Sequence, residues 1–520
     1  MKNIALKLFS FASAVALLTA GPGCAKISDF GDTNINPNGA SAPITAALLT
    51  NVESALGGIA FGTGTGGTRA AIYAQLISET QYPDVSTYSL PQLESGGFYS
   101  GLMMDCQVII NQNSDPKTAG IASNSGANAN QIATAKILKA YIMWTLTDKW
   151  GDLPYSQALK GAGNLAPAYD KQEDIYKAIF KDCRDAIAGF DGAGANMKGD
   201  IIYGGSQAKW KKLANSIRMV AALRLSKVFP LASDYPAMEF MSAATDPAGY
   251  INSNADNFTL PFPGGSYSNS WYNIYLTRAD YAQSKTLGDV LAALGDNRQA
   301  AFGTNAGATF PYGLTRAQAV AFDASTGGNY SKVLAASYRA ENSPGVLFSA
   351  STVLLAAAEA AIPTGSGGLG WITGSAQALY DAGVTASFGQ WGITMSAGYL
   401  TTGPANYASG PGAPGNVGAN TYGSIPATQN AATITPMARI ALQYWLAAYP
   451  NGNEAWANWR RTGVPNIKGT LFATNSGGQI PRRYVYGVSE YGTNPVQLAI
   501  AVGRLTGGDT QDSRIWWDKP

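Results

Sequence analysis

The chain has 520 residues, with 35 basic and 33 acidic side chains, only 13% charged residues in all, and no histidine. So even a balance leaves no electrostatic footprint for nucleic acid or an acidic membrane surface. The missing histidine excludes Ser-His-Asp and Cys-His arrangements and His-ligated zinc, so any catalysis would rest on carboxylates, lysine or tyrosine.

Lys2 and Lys7 give a basic start, an apolar run follows from Leu8 to Ala20, and Gly21-Pro22-Gly23 leads into Cys24. This is the layout of a secretory signal peptide over residues 1–23. The apolar run of about 13 residues is short of the roughly 20 needed to span a bilayer. Cys24 is therefore expected to be diacylated, holding the protein on the membrane through lipid alone. Gly21 stands where bacterial lipoprotein signals usually have leucine, and the plainer alternative is an ordinary cleaved signal with an incidental cysteine. Removing residues 1–23 takes away Lys2 and Lys7 and no acid, which leaves 33 basic and 33 acidic residues. Residues 24–42 read as a lipidated tether, and 43–520 as a single helical domain.

Helical periods of three, four and seven then appear in order. They predict helices over Pro43–Leu56 (Ile44, Ala47, Leu48, Val52), Gln131–Trp150 (Ile137, Tyr141, Trp144) and Trp210–Val228 (Leu213, Ile217, Val220, Leu225). Apolar helices are also predicted over Phe348–Ile362 and Met437–Ala448. Trp210-x-x-Leu213-Ala214-x-x-Ile217 is close to the first helix of a tetratricopeptide repeat, although no regular period of about 34 residues is visible. Irregular insertions rich in Gly, Pro, Asn and Tyr are predicted around 229–347 and 396–436, and such long loops are usually functional or mobile. Cys106 and Cys183 fall in apolar helical stretches and are expected to be buried free thiols, with one disulfide as the alternative.

Aromatic rings stack on the apolar face of a pyranose while amides, carboxylates and guanidinium groups bond its hydroxyl rim. The best such cluster is Trp271, Tyr272, Asn273 and Tyr275, leading to Arg278 and Asp280 in the first irregular region. A second candidate set is Tyr82, Asp84, Tyr88 and Gln92, and Tyr312 is a third. Each ring could instead be packed inward. Three other patterns carry less. Gly62-x-Gly64-x-x-Gly67 has dinucleotide-loop spacing but follows a helix rather than a strand. Asn252-x-Asn254-x-Asp256 begins like a calcium loop, but Pro263 stands where the bidentate glutamate belongs. Asp280, Asp289 and Asp296 are the carboxylates from which a glycosidase pair would have to come. No cofactor or metal is expected.

Several blocks, in order, resemble the SusD/RagB family of surface nutrient-binding lipoproteins, and more closely its divergent SusD-like branch. They are Asn34-Ile35-Asn36-Pro37-Asn38 before Ala47-Leu48-Leu49, and Thr147-Asp148-Lys149-Trp150-Gly151-Asp152-Leu153-Pro154-Tyr155, the most specific of them. Trp210 to Arg218 follows, then Gly295-Asp296-Asn297-Arg298, Ala357-Ala358-Glu359-Ala360, Arg460-Arg461-Thr462-Gly463, Ile480-Pro481-Arg482-Arg483 and Trp516-Trp517-Asp518. The resemblance implies a mainly α fold, a tetratricopeptide-repeat-like helical scaffold with a large loop-rich region packed against it. It implies a non-catalytic, lipid-anchored protein on the extracellular face of an outer membrane. Its partner would be a SusC-like TonB-dependent transporter and its ligand an oligosaccharide or peptide; a carboxylate-based glycosidase or a surface adhesin are the alternatives. The shared motifs are expected to serve the scaffold: Asp148 and Asp152 flank a helix end, where they can cap or pair, and Arg460 and Arg461 suit carboxylate forks between packed elements.

Overall fold

The computed structural model describes residues 43–89, 92–304, 308–402, 405–406, 435–475 and 477–520. The signal-like segment, Cys24, the tether, the Asn34–Asn38 motif and most of the irregular region at 396–436 lie outside the described residues. The architecture is helical, and Thr45–Pro520 forms one compact unit.

Helix α1 (Thr45–Phe61) leads through a glycine turn into α2 (Gly67–Tyr73), and α3 (Met104–Ser114) packs on α1. Packed helix pairs then follow: α4 (Asn128–Trp150) with α5 (Gln172–Gly189), and α6 (Gln207–Arg224) with α7 (Tyr235–Ala244). After the short helix α8 (Ser270–Ile274) come α9 (Lys285–Leu294) and α10 (Arg316–Thr326). The pairs resume with α11 (Ala350–Ala360) and α12 (Ala376–Gln390), then α13 (Pro436–Ala447) and α14 (Gly452–Thr462).

The five predicted helices are all present. Their ends differ by a few residues: the first and third run over Thr45–Phe61 and Gln207–Arg224, the second starts earlier at Asn128, the fourth is shortened to Ala350–Ala360 and the fifth moves by one residue to Pro436–Ala447. Pro43 lies before the first turn, where a missing N–H costs nothing. The region 229–347 is not one irregular insertion: it holds α7, α8, α9 and α10 and several strands. Among the described residues the strands pair only in twos. β1 (Ile77–Glu79) runs antiparallel to β4 (Tyr281–Gln283), β2 (Gln92–Leu93) parallel to β6 (Val485–Tyr486), and β3 (Phe258–Leu260) antiparallel to β5 (Gly345–Phe348). These ladders tie the loop-rich segments to distant parts of the chain.

The shared motifs sit where helices meet. Asp148, at the end of α4, receives the Tyr176 hydroxyl, the Trp517 indole N–H at 2.8 Å and Arg224 at 3.2 Å. Asp152 accepts the Gln172 N–H at 2.8 Å, which opens α5, and pairs with Arg504 at 2.7 Å. The Arg461 guanidinium forks onto both oxygens of Glu359, joining α14 to α11. Arg298 and Asp296 form a wholly buried pair, extended to Ser387 and Gln443. These forks suit guanidinium geometry, and each leaves little of its polar capacity unmet. Cys106 and Cys183 are free and buried, and burial pushes the Cys106 thiol up to about 12. No helix among the described residues is long and apolar enough to cross a membrane.

Candidate ligand site

The β1–β4 ladder pairs Ile77 with Gln283 and Glu79 with Tyr281. That register sets the loop after β1, which carries Tyr82, beside the segment before β4, which carries Arg278. The Thr80 N–H donates to the Asp280 carbonyl at 2.9 Å and extends the pairing into the loops. Upstream, Asn269 caps α8: its Oδ1 accepts the N–H of Trp271 at 2.8 Å and of Tyr272 at 3.3 Å. An asparagine in this role satisfies N–H groups that a helix start would otherwise leave open.

The cap fixes which rings face out. Trp271 turns inward and is 1% exposed, against Tyr275 and Tyr281 with ring centroids 6.3 Å away in each case. It is thus not the free loop platform that its sequence setting suggests. Tyr272 is half-buried and Asn273 is exposed. Tyr275 is half-buried; its hydroxyl donates to the Tyr281 carbonyl and accepts the Val333 N–H, both at 2.9 Å. The Arg339 guanidinium lies 4.7 Å and the Lys332 ammonium 5.4 Å from the Tyr275 ring centre.

Tyr82 is 45% exposed, and two guanidinium groups lie over its ring, Arg278 at 4.9 Å and Arg316 at 4.7 Å. Arg278 also pairs with Asp280 at 2.8 Å. Tyr82 and Arg278, singled out from separate segments, therefore meet, and Tyr272, Asn273 and Tyr275 lie on the segment that leads to Arg278. Tyr88 and Tyr312 do not join it; they are 1% and 0% exposed and belong to the core. Arg316, Lys332 and Arg339 were not legible in the sequence, because each is an isolated basic residue with no local pattern around it.

Behind Trp271 lies a cavity of about 400 Å³. Phe61, Trp271, Leu347, Phe348 and Tyr449 form its buried floor, while Ser337, Pro344 and Gly392 stand exposed at its mouth.

The other sequence patterns are absorbed by the fold. Asp289 pairs with Lys285 at 2.6 Å and Asp296 with Arg298 at 2.5 Å, so with Asp280 each carboxylate answers its own cation. Asp256 pairs with Lys212, and the Asn254 amide donates to the Ala386 carbonyl. No group of potential metal ligands occurs among the described residues. Gly66 and Gly67 pack tightly at the end of α1: a Cβ on Gly67 would stand 1.9 Å from the Ala60 carbonyl oxygen. Glu79 is the one acidic group near the face with a large shift. Burial pushes its carboxyl up to about 7, while the Ser86 N–H, 2.7 Å away, pulls the other way.

A model of a SusD-like family, described as starch-binding associating with outer membrane, matches residues 37–487. Many solved structures share the fold. A chitin-binding protein is 25% identical with a TM-score of 0.69, over 92% of this chain and 100% of that one. A SusD homolog from Bacteroides uniformis is 26% identical with a TM-score of 0.70, over 91% and 99%. A chitin-binding SusD homolog from Flavobacterium johnsoniae is 23% identical with a TM-score of 0.71, over 91% and 98%. No curated protein matches the chain.

Proposed function

The chain belongs to the SusD-like family of starch-binding, outer-membrane-associated proteins, and from that premise we propose that it captures an oligosaccharide at the cell surface and passes it to a SusC-like TonB-dependent transporter. The observation that carries the binding half is the face around Tyr82. A sugar offers an apolar C–H surface and a rim of hydroxyls. Tyr82 and Tyr272 supply ring surface and edges, and Arg278, Arg316 and Asn273 supply N–H donors for the rim. Trp271 and Tyr275 act from behind, holding the segment in shape. The likeness to a chitin-binding protein favours an N-acetylated glucan as the first ligand to try. Binding rather than cleavage suits the three carboxylates from which a glycosidase pair would have to come: Asp280, Asp289 and Asp296 are each tied to a cation, whereas a glycosidase needs two carboxyl groups facing one bond.

The proposed location rests on the signal-like segment before Cys24 and on the family's association with the outer membrane. With Cys24 acylated after loss of residues 1–23, the protein would sit on the extracellular face of the outer membrane, anchored by lipid alone. Cys24→Ala should release it from membranes in a strain lacking the transporter.

The test of the site is calorimetric titration of chito- and malto-oligosaccharides into the protein, with assay for new reducing ends. Tyr82→Ala should weaken binding by roughly 1–3 kcal/mol, as for truncation of a binding hot spot, with an unchanged melting temperature because the ring is exposed. Unaltered binding in Tyr82→Ala and Arg278→Ala would remove this face as the site, and new reducing ends would replace capture with hydrolysis.

A further inference from the structure

The recess behind Trp271 is lined by carbon. Phe61, Trp271, Phe348 and Tyr449 are buried around it, and the rings of Tyr338 and Trp391 are half-buried. Most polar side chains among the lining residues make their hydrogen bonds inside the protein. The Asn269 amide donates to the Ser343 carbonyl at 2.8 Å, and the Asn451 amide to the Leu347 carbonyl at 3.0 Å. The Ser343 hydroxyl donates to the Ser337 carbonyl at 3.0 Å and the Thr352 hydroxyl to the Ser349 carbonyl at 2.8 Å. The Glu454 carboxylate is met by Arg224 at 2.8 Å and by the Tyr444 hydroxyl at 2.6 Å. The indole N–H groups of Trp271 and Trp391 have next to no accessible surface, so the two rings turn carbon toward the recess.

The fold also holds this space open. Tyr449 stacks on Phe302 with ring centroids 4.5 Å apart, and Trp391 meets Phe302 and Tyr338 edge-on, each at 5.5 Å. The Tyr449 hydroxyl donates to the Phe302 carbonyl at 2.7 Å and the Tyr338 hydroxyl to the Trp391 carbonyl at 2.5 Å. Rings pinned in this way cannot fold inward to close the void, as the walls of a softer cavity do. Leu334, another lining residue, is an independent sign. Its φ is 61°, in the left-handed region that a bulky side chain rarely adopts. Its N–H is shared between the Phe302 carbonyl at 3.1 Å and the Tyr449 hydroxyl at 3.2 Å, and its carbonyl accepts the Arg339 Nε–H at 3.1 Å. Strain of this kind persists only where the surroundings impose it, and ligand clamps are among the places where it gathers.

We infer that the recess is a binding site, separate from the Tyr82 face, for an uncharged apolar molecule of one or two rings. Native interiors leave few voids larger than a water molecule, and a void of about 400 Å³ is far beyond that. Water is a poor occupant, because each ordered molecule needs two to four polar partners and this lining offers few. A hydroxylated ligand meets the same obstacle: it gives up its hydrogen bonds to water and recovers few in return. Charge is disfavoured because the one lining carboxylate, Glu454, is already matched by Arg224. An apolar ring finds what the walls do offer, ring faces and edges for stacked and edge-to-face contact. An apolar cavity of roughly 150 Å³ is enough for benzene, so this one has room for two fused rings. Ser337, Pro344 and Gly392, exposed at the mouth, leave a way in.

The test uses the intact protein with toluene and naphthalene as probes, followed by titration calorimetry and by the melting temperature, which a ligand of the folded state raises. Crystals of the wild type pressurised with xenon, which enters apolar cavities, locate the site without any substitution. Saturable binding of both probes is expected, with xenon between Phe61, Leu334 and Trp391. Val346→Phe and Ala448→Leu add volume at two lining positions. A filling variant that keeps the wild-type melting temperature should bind naphthalene at least tenfold more weakly, whereas Tyr82→Ala should bind it as the wild type does. That last arm separates this site from the proposed outer face, since loss of oligosaccharide binding in Tyr82→Ala leaves naphthalene binding intact. Four results overturn the inference: no saturable binding of either probe, xenon absent from the recess, ordered water filling it in the wild-type crystal, or glucose displacing naphthalene from it. Equal naphthalene affinity in folded Val346→Phe and Ala448→Leu overturns it as well.

Discussion

Asp296 and Arg298 are two residues apart, and neither side chain is exposed. Burial alone would raise the Asp296 carboxyl, yet the adjacent guanidinium holds it below its usual range. Such a pair is costly to form and far costlier to break, because the surviving ion is left without a partner in a dry site. Arg298→Met is therefore expected to lower stability by about 3–5 kcal/mol in chemical denaturation. By contrast, Lys177→Ala, which removes an i,i+4 partner of the half-exposed Glu173, should change stability by about 0.5 kcal/mol or less. Glu79 behaves in the opposite sense to Asp296. Its carboxyl is raised from 4.5 to about 7, first by burial. Between those values the folded chain holds a proton that the unfolded chain has released, so stability falls as pH rises, by at most about 1.4 kcal/mol per pH unit. Denaturation of wild type and Glu79→Gln from pH 4.5 to 8 should show the wild type losing ground to the variant up to about pH 7 and not beyond. These scaffold residues were legible in the sequence because Gly-Asp-Asn-Arg and Ala-Glu-Ala lie in the blocks that resemble the SusD/RagB family. Glu79 was not, since nothing in Ile77-Ser78-Glu79 marks a carboxylate that the fold buries.

At the scale of elements, α2 and α14 cross at backbone contact distance, Gly452 of α14 lying against Gly67 and Ala71 of α2. A Cβ on Gly452 would stand 1.9 Å from the Ala71 nitrogen and 2.4 Å from the Gly67 carbonyl oxygen. Gly452→Ala must push backbone against backbone, and overpacking of this kind costs about 1–3 kcal/mol or more; a melting curve and a circular-dichroism spectrum of the variant would show lower stability with helix content retained. Helices α4 and α6 were legible because each carries apolar residues at a helical spacing over several turns. Between 229 and 347 the five-residue α8 spans too few turns to show a period, whereas α9 carries Leu287, Val290, Leu291 and Leu294 at helical spacing and was hidden only by the Gly-, Asn- and Tyr-rich sequence around it. Trp271 illustrates the limit best: in the sequence it sits in an Asn-, Ser- and Tyr-rich stretch, and only the Asn269 cap turns that stretch into a helix that buries it. Trp271→Ala should therefore resemble Trp210→Ala, each removing a ring from the core and each costing about 3–5 kcal/mol. A normal melting temperature for Trp271→Ala would mean that the ring does not pack as described here.

At the scale of the whole molecule, the candidate site draws on residues that only the fold unites. Tyr82 lies after β1, Arg278 before β4 and Arg316 at the start of α10, and their meeting depends on the β1–β4 register. A sequence can nominate such rings one by one but cannot pair them. Charge, by contrast, is legible directly: beyond residue 23 the 33 basic and 33 acidic residues balance, and many are tied in pairs across packed elements. A chain of this kind exerts little long-range attraction, and what remains is screened within about 10 Å at 0.1 M salt. If a SusC-like barrel is the partner, shape and apolar contact must hold it rather than net charge. The complex extracted in mild detergent should then keep a constant ratio of the two proteins as salt is raised from about 0.1 to 1 M, a range over which the screening length falls to about 3 Å. Progressive loss of the barrel across that range would show instead that local charge clusters such as Arg278, Arg316, Lys332 and Arg339 hold the partner, and the face assigned to the sugar would then be part of the transporter interface.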